Sequence, residues 1–426
     1  MRFRQFIVMG VSIIGLFFLM GCSVIKAFSP IQTPTQTSEP TSTPAPTLTP
    51  TLTPTPTEIP FYIDATVWSG DLKVPILIYH RFVPDSVEKS TATKMRYTDF
   101  SNQLRTLYNN DFSLISLKDW INGTFVLPAG KKPLIITLDD LWFADQLYLN
   151  EDGTPSTYSG IGILWEFSKV HPDFGFSASV FSNMGDKKTA DKHVDDWFFV
   201  SEDDSWINKL ALTIAWAIEN GVDPYNHLFL HPKLDLTANT DIIYHIKEND
   251  RVIRYYLSRI GREDLIPRLG NIIALPYGIW PATTAGVNII KNYKDPEGKP
   301  VQAVMEAYNL DAAQLTSSVF TPGFDPYHIA RITASDYMIK FIIEHKAEIP
   351  SSTSCKLGPL QEEQSSDLEV IQRLIQNSVT NQSCPEGVYN VNGAVFVAKE
   401  GTVALFKEKD AVATSATPTL TPTLKP

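Results

Sequence analysis

Between residues 74 and 345, short β-prone apolar runs alternate with longer runs whose apolar residues recur near helical spacing. No other feature of the sequence restricts the fold as much. "VPILIY" (74–79), "PLIITL" (133–138), "GFSASVF" (175–181), "NIIALPYG" (271–278) and "YHIARIT" (327–333) read as strands. "YTDFSNQLRTLYNN" (97–110), "GIGILWEFSKV" (160–170) and "TTAGVNIIKNY" (283–293) read as helices, as does a run ending in "TIAWAIENG" at Gly221. In 240–261, Ile242, Ile246, Ile253, Tyr256 and Ile260 mark one helical face, which stops at Gly261. "SDYMIKFIIEH" (335–345) is a last helix with Ser335 as its N-cap. Repeated βα units imply an α/β fold with a parallel sheet, open or closed into a barrel. In both forms, functional groups collect at the C-terminal ends of the strands.

The flanks have a different character. Residues 30–60 are dominated by Thr and Pro, as in "TSTPAPTLTPTLTPTPTEIP", a composition that favours extended polyproline II and suits a linker, expected over 22–60. At about 3.1 Å per residue, some thirty such residues reach on the order of 90 Å. A similar tail, 413–426, is expected to be disordered. After residue 348, "SSTSCKLGPLQEEQSSD" reads as a loop and "LEVIQRLIQNSV" as a short helix. Asn-Gly and Glu-Gly turn signals then divide β-prone runs in "GVYNVNGAVFVAKEGTVALFKEK". The expected domains are therefore a main domain at 61–348 and a small α+β C-terminal appendage at 349–412.

"MRFRQ" followed by "FIVMGVSIIGLFFLM" has the basic and apolar regions of a secretion signal. It ends in "LMGC", which resembles a bacterial lipobox. That resemblance implies a signal peptide over 1–21, a lipidated Cys22, and a chain anchored to a membrane and facing the extracytoplasmic side. A plain transmembrane anchor with an incidental Cys is the alternative. In an oxidising compartment Cys355 and Cys384 can form one disulfide, although their spacing also allows two unpaired thiols. The net charge of −11 and the lack of a basic patch argue against nucleic acid as a partner. Nothing in the sequence fixes an oligomeric state.

Chemistry-bearing residues fall at the expected strand ends. "IITLDD" puts Asp139 and Asp140 side by side, where like charges repel and need solvent, a helix start or a cation to offset them. "NHLFLH" carries His227 and His231 four apart, so on a helical turn both imidazoles would grip one cation. Two neutral His and one carboxylate, with an open position, make a catalytic-metal arrangement. A neighbouring carboxylate can then take a proton from metal-bound water. His80 ends the first strand, and Tyr277 and Gly278 lie in the "PYG" turn.

"VPILIYHRF", "FSNQLRTLYNNDFSLISLKDWINGTFVLP", "KKPLIITLDD", "GFSASVF", "NHLFLH" and "ALPYG" occur in the order found in polysaccharide deacetylases. Over roughly residues 72–345 the chain resembles this NodB-homology, carbohydrate esterase group, and most of all its poly-N-acetylglucosamine deacetylase branch. The resemblance implies a distorted (β/α)7 barrel and a divalent metal, usually zinc. Asp139 matches the catalytic base, and Asp140, His227 and His231 match the metal ligands. Tyr277 matches the residue whose backbone N–H helps hold the oxyanion, and His80 matches the general acid. The implied reaction removes N-acetyl groups from a polysaccharide containing N-acetylhexosamine.

Three features depart from the family pattern. Leu141 and Trp142 follow the Asp pair where Gly is usual; Ala274 stands where an Arg is common; and residues 142–172 and 184–220 are longer than the usual connections. O-deacetylation of a xylan-type glycan and glycan binding without catalysis are the competing functions. Trp142 and Trp280 are candidates for stacking on a sugar ring, and Asp145 lies close to the site in sequence. His171, His193, His245, His328 and His345 show no partner pattern, and His245 falls within a periodic helix.

Overall fold

In the computed structural model the described residues are 60–68, 73–87, 89–140, 143–185, 205–307, 315–317, 319–321 and 323–408. The expected leader, Cys22, the Thr/Pro linker and the C-terminal tail lie outside them.

Lys132–Asp139 is the central strand, buried along nearly its whole length. Its side chains alternate between two apolar layers, as strand geometry requires. Leu134, Ile136 and Leu138 point outward to the helices, together with Leu77, Val180 and Val222. Ile135 points into a separate interior with Phe181, Tyr225, Ala274 and Met305. Continuous burial of this kind marks a parallel sheet covered on both faces. Ile76–Tyr79 pairs on one side of the central strand, and Ala178–Ser182, Val222–Asn226, Ile272–Ala274 and Ala303–Met305 follow on the other, all parallel.

The segment running from Ile329 to Thr333 joins the two edges. Ile329 bridges Met305, and Ile332–Thr333 pairs with Leu77 and Ile78 on the far edge. One short segment thus serves two neighbours in succession, which closes a distorted (β/α)7 barrel. The expected helices surround it. Ser335 caps the last one by accepting from the Met338 N–H at 3.2 Å. No helix among the described residues is long and apolar enough to cross a membrane.

A second sheet is antiparallel, in the order Ser352–Leu360, Phe61–Trp68, Gly387–Val391, Ala394–Lys399, Thr402–Lys407. Helix Leu368–Thr380 buries Ile371 and Ile375 against it, and a disulfide joins Cys355 in this sheet to Cys384 in the turn after the helix. Two details differ from the sequence reading. The stretch read as a loop forms the strand Ser352–Leu360, because its partner is Phe61–Trp68, almost 290 residues earlier. Phe61–Trp68 itself, read as the start of the main domain, belongs to this sheet. Ser352 N–H donates to the Lys131 carbonyl at 2.9 Å, just before the central barrel strand starts. The appendage therefore packs at the N-terminal end of the barrel, opposite the end where Asp139 emerges.

Candidate metal centre

Strand alternation aims Asp139 into the barrel. A continued strand would send Asp140 to the opposite face, but Asp140 has φ of 77°, and this left-handed residue ends the strand. Both carboxylates consequently approach one imidazole: His227 Nε2 is 3.8 Å from Asp139 Oδ2 and 3.6 Å from Asp140 Oδ1. His231 Nε2 is also 3.6 Å from Asp140 Oδ1. Asn183 Nδ2 donates to that oxygen at 3.0 Å and orients it.

The two histidines do not share a helix. Val222–Asn226 ends just before His227, and the chain turns through Leu228 (φ 59°) and His231 (φ 50°). A helix is excluded by these left-handed residues, and the turn achieves the same convergence. The Leu228 N–H donates to Asn226 Oδ1 at 2.9 Å, a local side-chain bond that supports the unusual conformation. His227 Nδ1 donates to the Ala274 carbonyl at 2.9 Å, which leaves the Nε2 lone pair facing Asp140.

One ligand atom each from Asp140, His227 and His231 lies within 4.8 Å of the others. Ligands about 2.0–2.1 Å from zinc at tetrahedral angles stand roughly 3.4 Å apart. The 3.6 Å spacings are too long for hydrogen bonds and close to that figure, so these residues could hold a divalent cation.

Asp139 has a different partner. Arg331 Nη1 donates to its Oδ1 at 2.7 Å and Nη2 to its Oδ2 at 2.9 Å. Burial pushes the Asp139 pKa up, but the Arg331 guanidinium, with His227 and His80 nearby, outweighs it and holds the carboxyl down at about 2. Arg331 is itself buried, and its Nε donates to the Glu306 carbonyl at 3.1 Å. It comes from the segment that closes the barrel, just before strand Ile332–Thr333. The signal in the sequence was an Arg interrupting the apolar "YHIARIT" run.

His80 sits at the end of the neighbouring strand. Its Nδ1 is buried with no hydrogen-bond partner among the described residues. Gln146 Nε2 bridges the backbone carbonyls of His80 and Asp139, tying two strand ends together. Tyr277 has φ of 58°, and its ring lies 4.5 Å from that of His231. Gly278 (φ 68°) sits so close to Ala307 that a Cβ would meet its backbone N and O at 2.6 Å. Among the described residues, half of the eight non-glycine residues with positive φ are Asp140, Leu228, His231 and Tyr277, a concentration of strain typical of functional sites.

The remaining candidates are not among the converging ligand atoms. Asp145 pairs with Arg81 at 2.7 Å. His328, read as partnerless, has its Nδ1 2.9 Å from Glu306 Oε1, and Trp280 Nε1 donates to the same oxygen. His171 packs on Tyr108, and His345 stacks on Phe341. The His245 carbonyl accepts from the Phe229 N–H at 3.0 Å. Leu141, Trp142 and His193 lie outside the described residues.

No family model and no curated protein matches the chain. Solved structures do. A Streptococcus pyogenes deacetylase in complex with acetate is 15% identical with a TM-score of 0.37, over 62% of this chain and 92% of that one. A polysaccharide deacetylase from Bacillus cereus is 14% identical with a TM-score of 0.42, over 65% and 69%. IcaB from Ammonifex degensii is 16% identical with a TM-score of 0.39, over 65% and 97%. The solved structures to which this chain is similar thus include polysaccharide deacetylases, the group its motifs resemble.

Proposed function

We propose that the chain is a metal-dependent hydrolase that removes N-acetyl groups from an extracellular polysaccharide containing N-acetylhexosamine. One observation carries this reading: Asp140, His227 and His231 each bring one ligand atom within 4.8 Å of the others, beside an ionised Asp139 held in a fixed orientation by Arg331.

A bound divalent cation supplies a Lewis acid that lowers the pKa of water to near 7. Asp139 accepts the proton that the attacking water gives up. Its pairing with Arg331 lowers its basicity and in return keeps it charged and aimed. The Tyr277 backbone N–H supports the oxyanion that develops on the acetyl group. His80 donates a proton to the departing amine, so one water and one N-acetyl group become acetate and a free amine. The leader, with its lipobox-like "LMGC", fits an anchor at Cys22 and an extracytoplasmic substrate.

Acetate release from chitooligosaccharides, measured with and without a chelator and zinc, tests the proposal. Metal-dependent release is expected. Release from acetylated xylan alone would move the substrate to O-esters, and metal binding without acetate from any glycan would leave a binding protein.

A further inference from the structure

The loop with His227 and His231 leaves strand Val222–Asn226, and the loop with Asn183, the donor to Asp140, leaves the neighbouring strand Ala178–Ser182; the last residues of the two strands face each other in register. Helix Asn239–Arg259 packs behind both. Two consecutive residues of this helix, Asn249 and Asp250, are polar and buried. Successive helical side chains diverge by about 100°, so one adjacent pair can reach two strand ends.

Asn249 Oδ1 accepts from the Met184 N–H at 2.8 Å, and its Nδ2 donates to the Ser182 carbonyl at 2.9 Å. Between those two residues stands Asn183, the donor to Asp140. The Ser182 carbonyl also accepts from the His227 N–H at 2.8 Å. Asp250 Oδ1 accepts from Asn226 Nδ2 at 2.8 Å. Asn226 passes the constraint on through its Oδ1, which holds the N–H of left-handed Leu228 inside the turn from His227 to His231. The other Asp250 oxygen accepts from the Tyr293 hydroxyl at 2.7 Å, away from either loop.

A polar pair that merely fastened a helix to the sheet could bond anywhere along the strands. Among the described residues, the Tyr293 hydroxyl and the Arg254 guanidinium 3.8 Å from Asp250 Oδ1 apart, every side-chain partner of the pair lies one residue from His227 or from Asn183. From this we infer that Asn249 and Asp250 are positioning residues of the metal centre, setting the spacing between Asp140 and the two imidazoles. The inference rests on the metal-binding reading.

Two near-isosteric variants test it. Asp250→Leu keeps the approximate volume and removes the acceptor for both Asn226 and Tyr293. Asn249→Asp loses the donor to Ser182. Tyr293→Phe is the control, because it removes a bond to the same carboxylate without touching a loop. Zinc affinity is measured by chelator competition, site geometry by the visible spectrum of the cobalt(II) protein, and stability by apo-protein melting. Asp250→Leu and Asn249→Asp should bind zinc about 10–100-fold more weakly and alter the cobalt spectrum, as expected when groups that orient ligands are changed. Tyr293→Phe should melt earlier yet keep the parent spectrum and an affinity within about threefold. The two positions are read independently, so misfolding of one variant leaves the other to decide. Parent-like zinc affinity and spectrum in the folded variants would overturn the inference, as would equal weakening by Tyr293→Phe. A parent protein that binds no zinc would instead overturn the metal-binding reading, and the inference with it.

Discussion

Arg331 and Asp139 are separated by 192 residues, yet they form a two-pronged ion pair inside the barrel, with both side chains almost wholly buried. The guanidinium arrives on the segment that closes the ring, and the carboxylate ends the central strand. Closure and site formation are therefore the same event.

Removing the guanidinium should leave a buried charge without its partner. Arg331→Met is expected to destabilise the protein by about 3–5 kcal/mol. It should also raise the Asp139 pKa, so the acid limb of the pH–rate profile moves to higher pH. A denaturant titration and a pH–rate profile would check both; an unmoved acid limb would show that Arg331 does not tune Asp139.

Asp139 also gives stability a pH dependence. Its folded pKa lies near 2, below the ordinary carboxylate value of 3.8. The stabilisation is complete above the unfolded value and is lost as pH falls from about 4 through 2. Its size in the metal-free protein is roughly 2 kcal/mol. Asp139→Asn should flatten this part of the stability curve, measured by melting against pH.

Ligation and proton transfer should separate by mutation. Asp139→Asn should retain zinc and lose about 10²–10⁴-fold in rate. His227→Ala should lose the zinc itself and leave the Ala274 carbonyl without its donor. Metal analysis alongside acetate release distinguishes the two, and an unchanged rate in Asp139→Asn would refute the base assignment.

Gly278 tolerates no side chain. Gly278→Ala would place a Cβ 2.6 Å from the Ala307 backbone at a φ of 68°. Displacement of the adjoining Tyr277 turn should lower the rate more than tenfold, with a stability loss of about 1 kcal/mol or more. Parent-like kinetics would mean that this corner plays no part in the reaction.

The disulfide lies in the appendage, away from the centre. Cys355 and Cys384 are 29 residues apart, and a loop of that length predicts roughly 3–4 kcal/mol of stabilisation. Cys355→Ser with Cys384→Ser should lower the melting temperature and leave the rate per folded molecule unchanged.

The parallel sheet, its helices and four polar residues of the centre were legible from the sequence. Each of those signals is local: a continuous apolar run within Lys132–Asp139, a carboxylate pair at a strand end, and two histidines in one short run. Tertiary structure alone decided that Arg331 meets Asp139, that Ser352–Leu360 is a strand, and that Asn249 and Asp250 reach the ligand loops. It also replaced the helical turn expected for His227 and His231 with a left-handed one. The physical reason is common to the first three. Local periodicity records which face of an element is buried, whereas the partner of a buried charge, an edge strand or a helix side chain is supplied by chain far away, and is known only once the ring has closed.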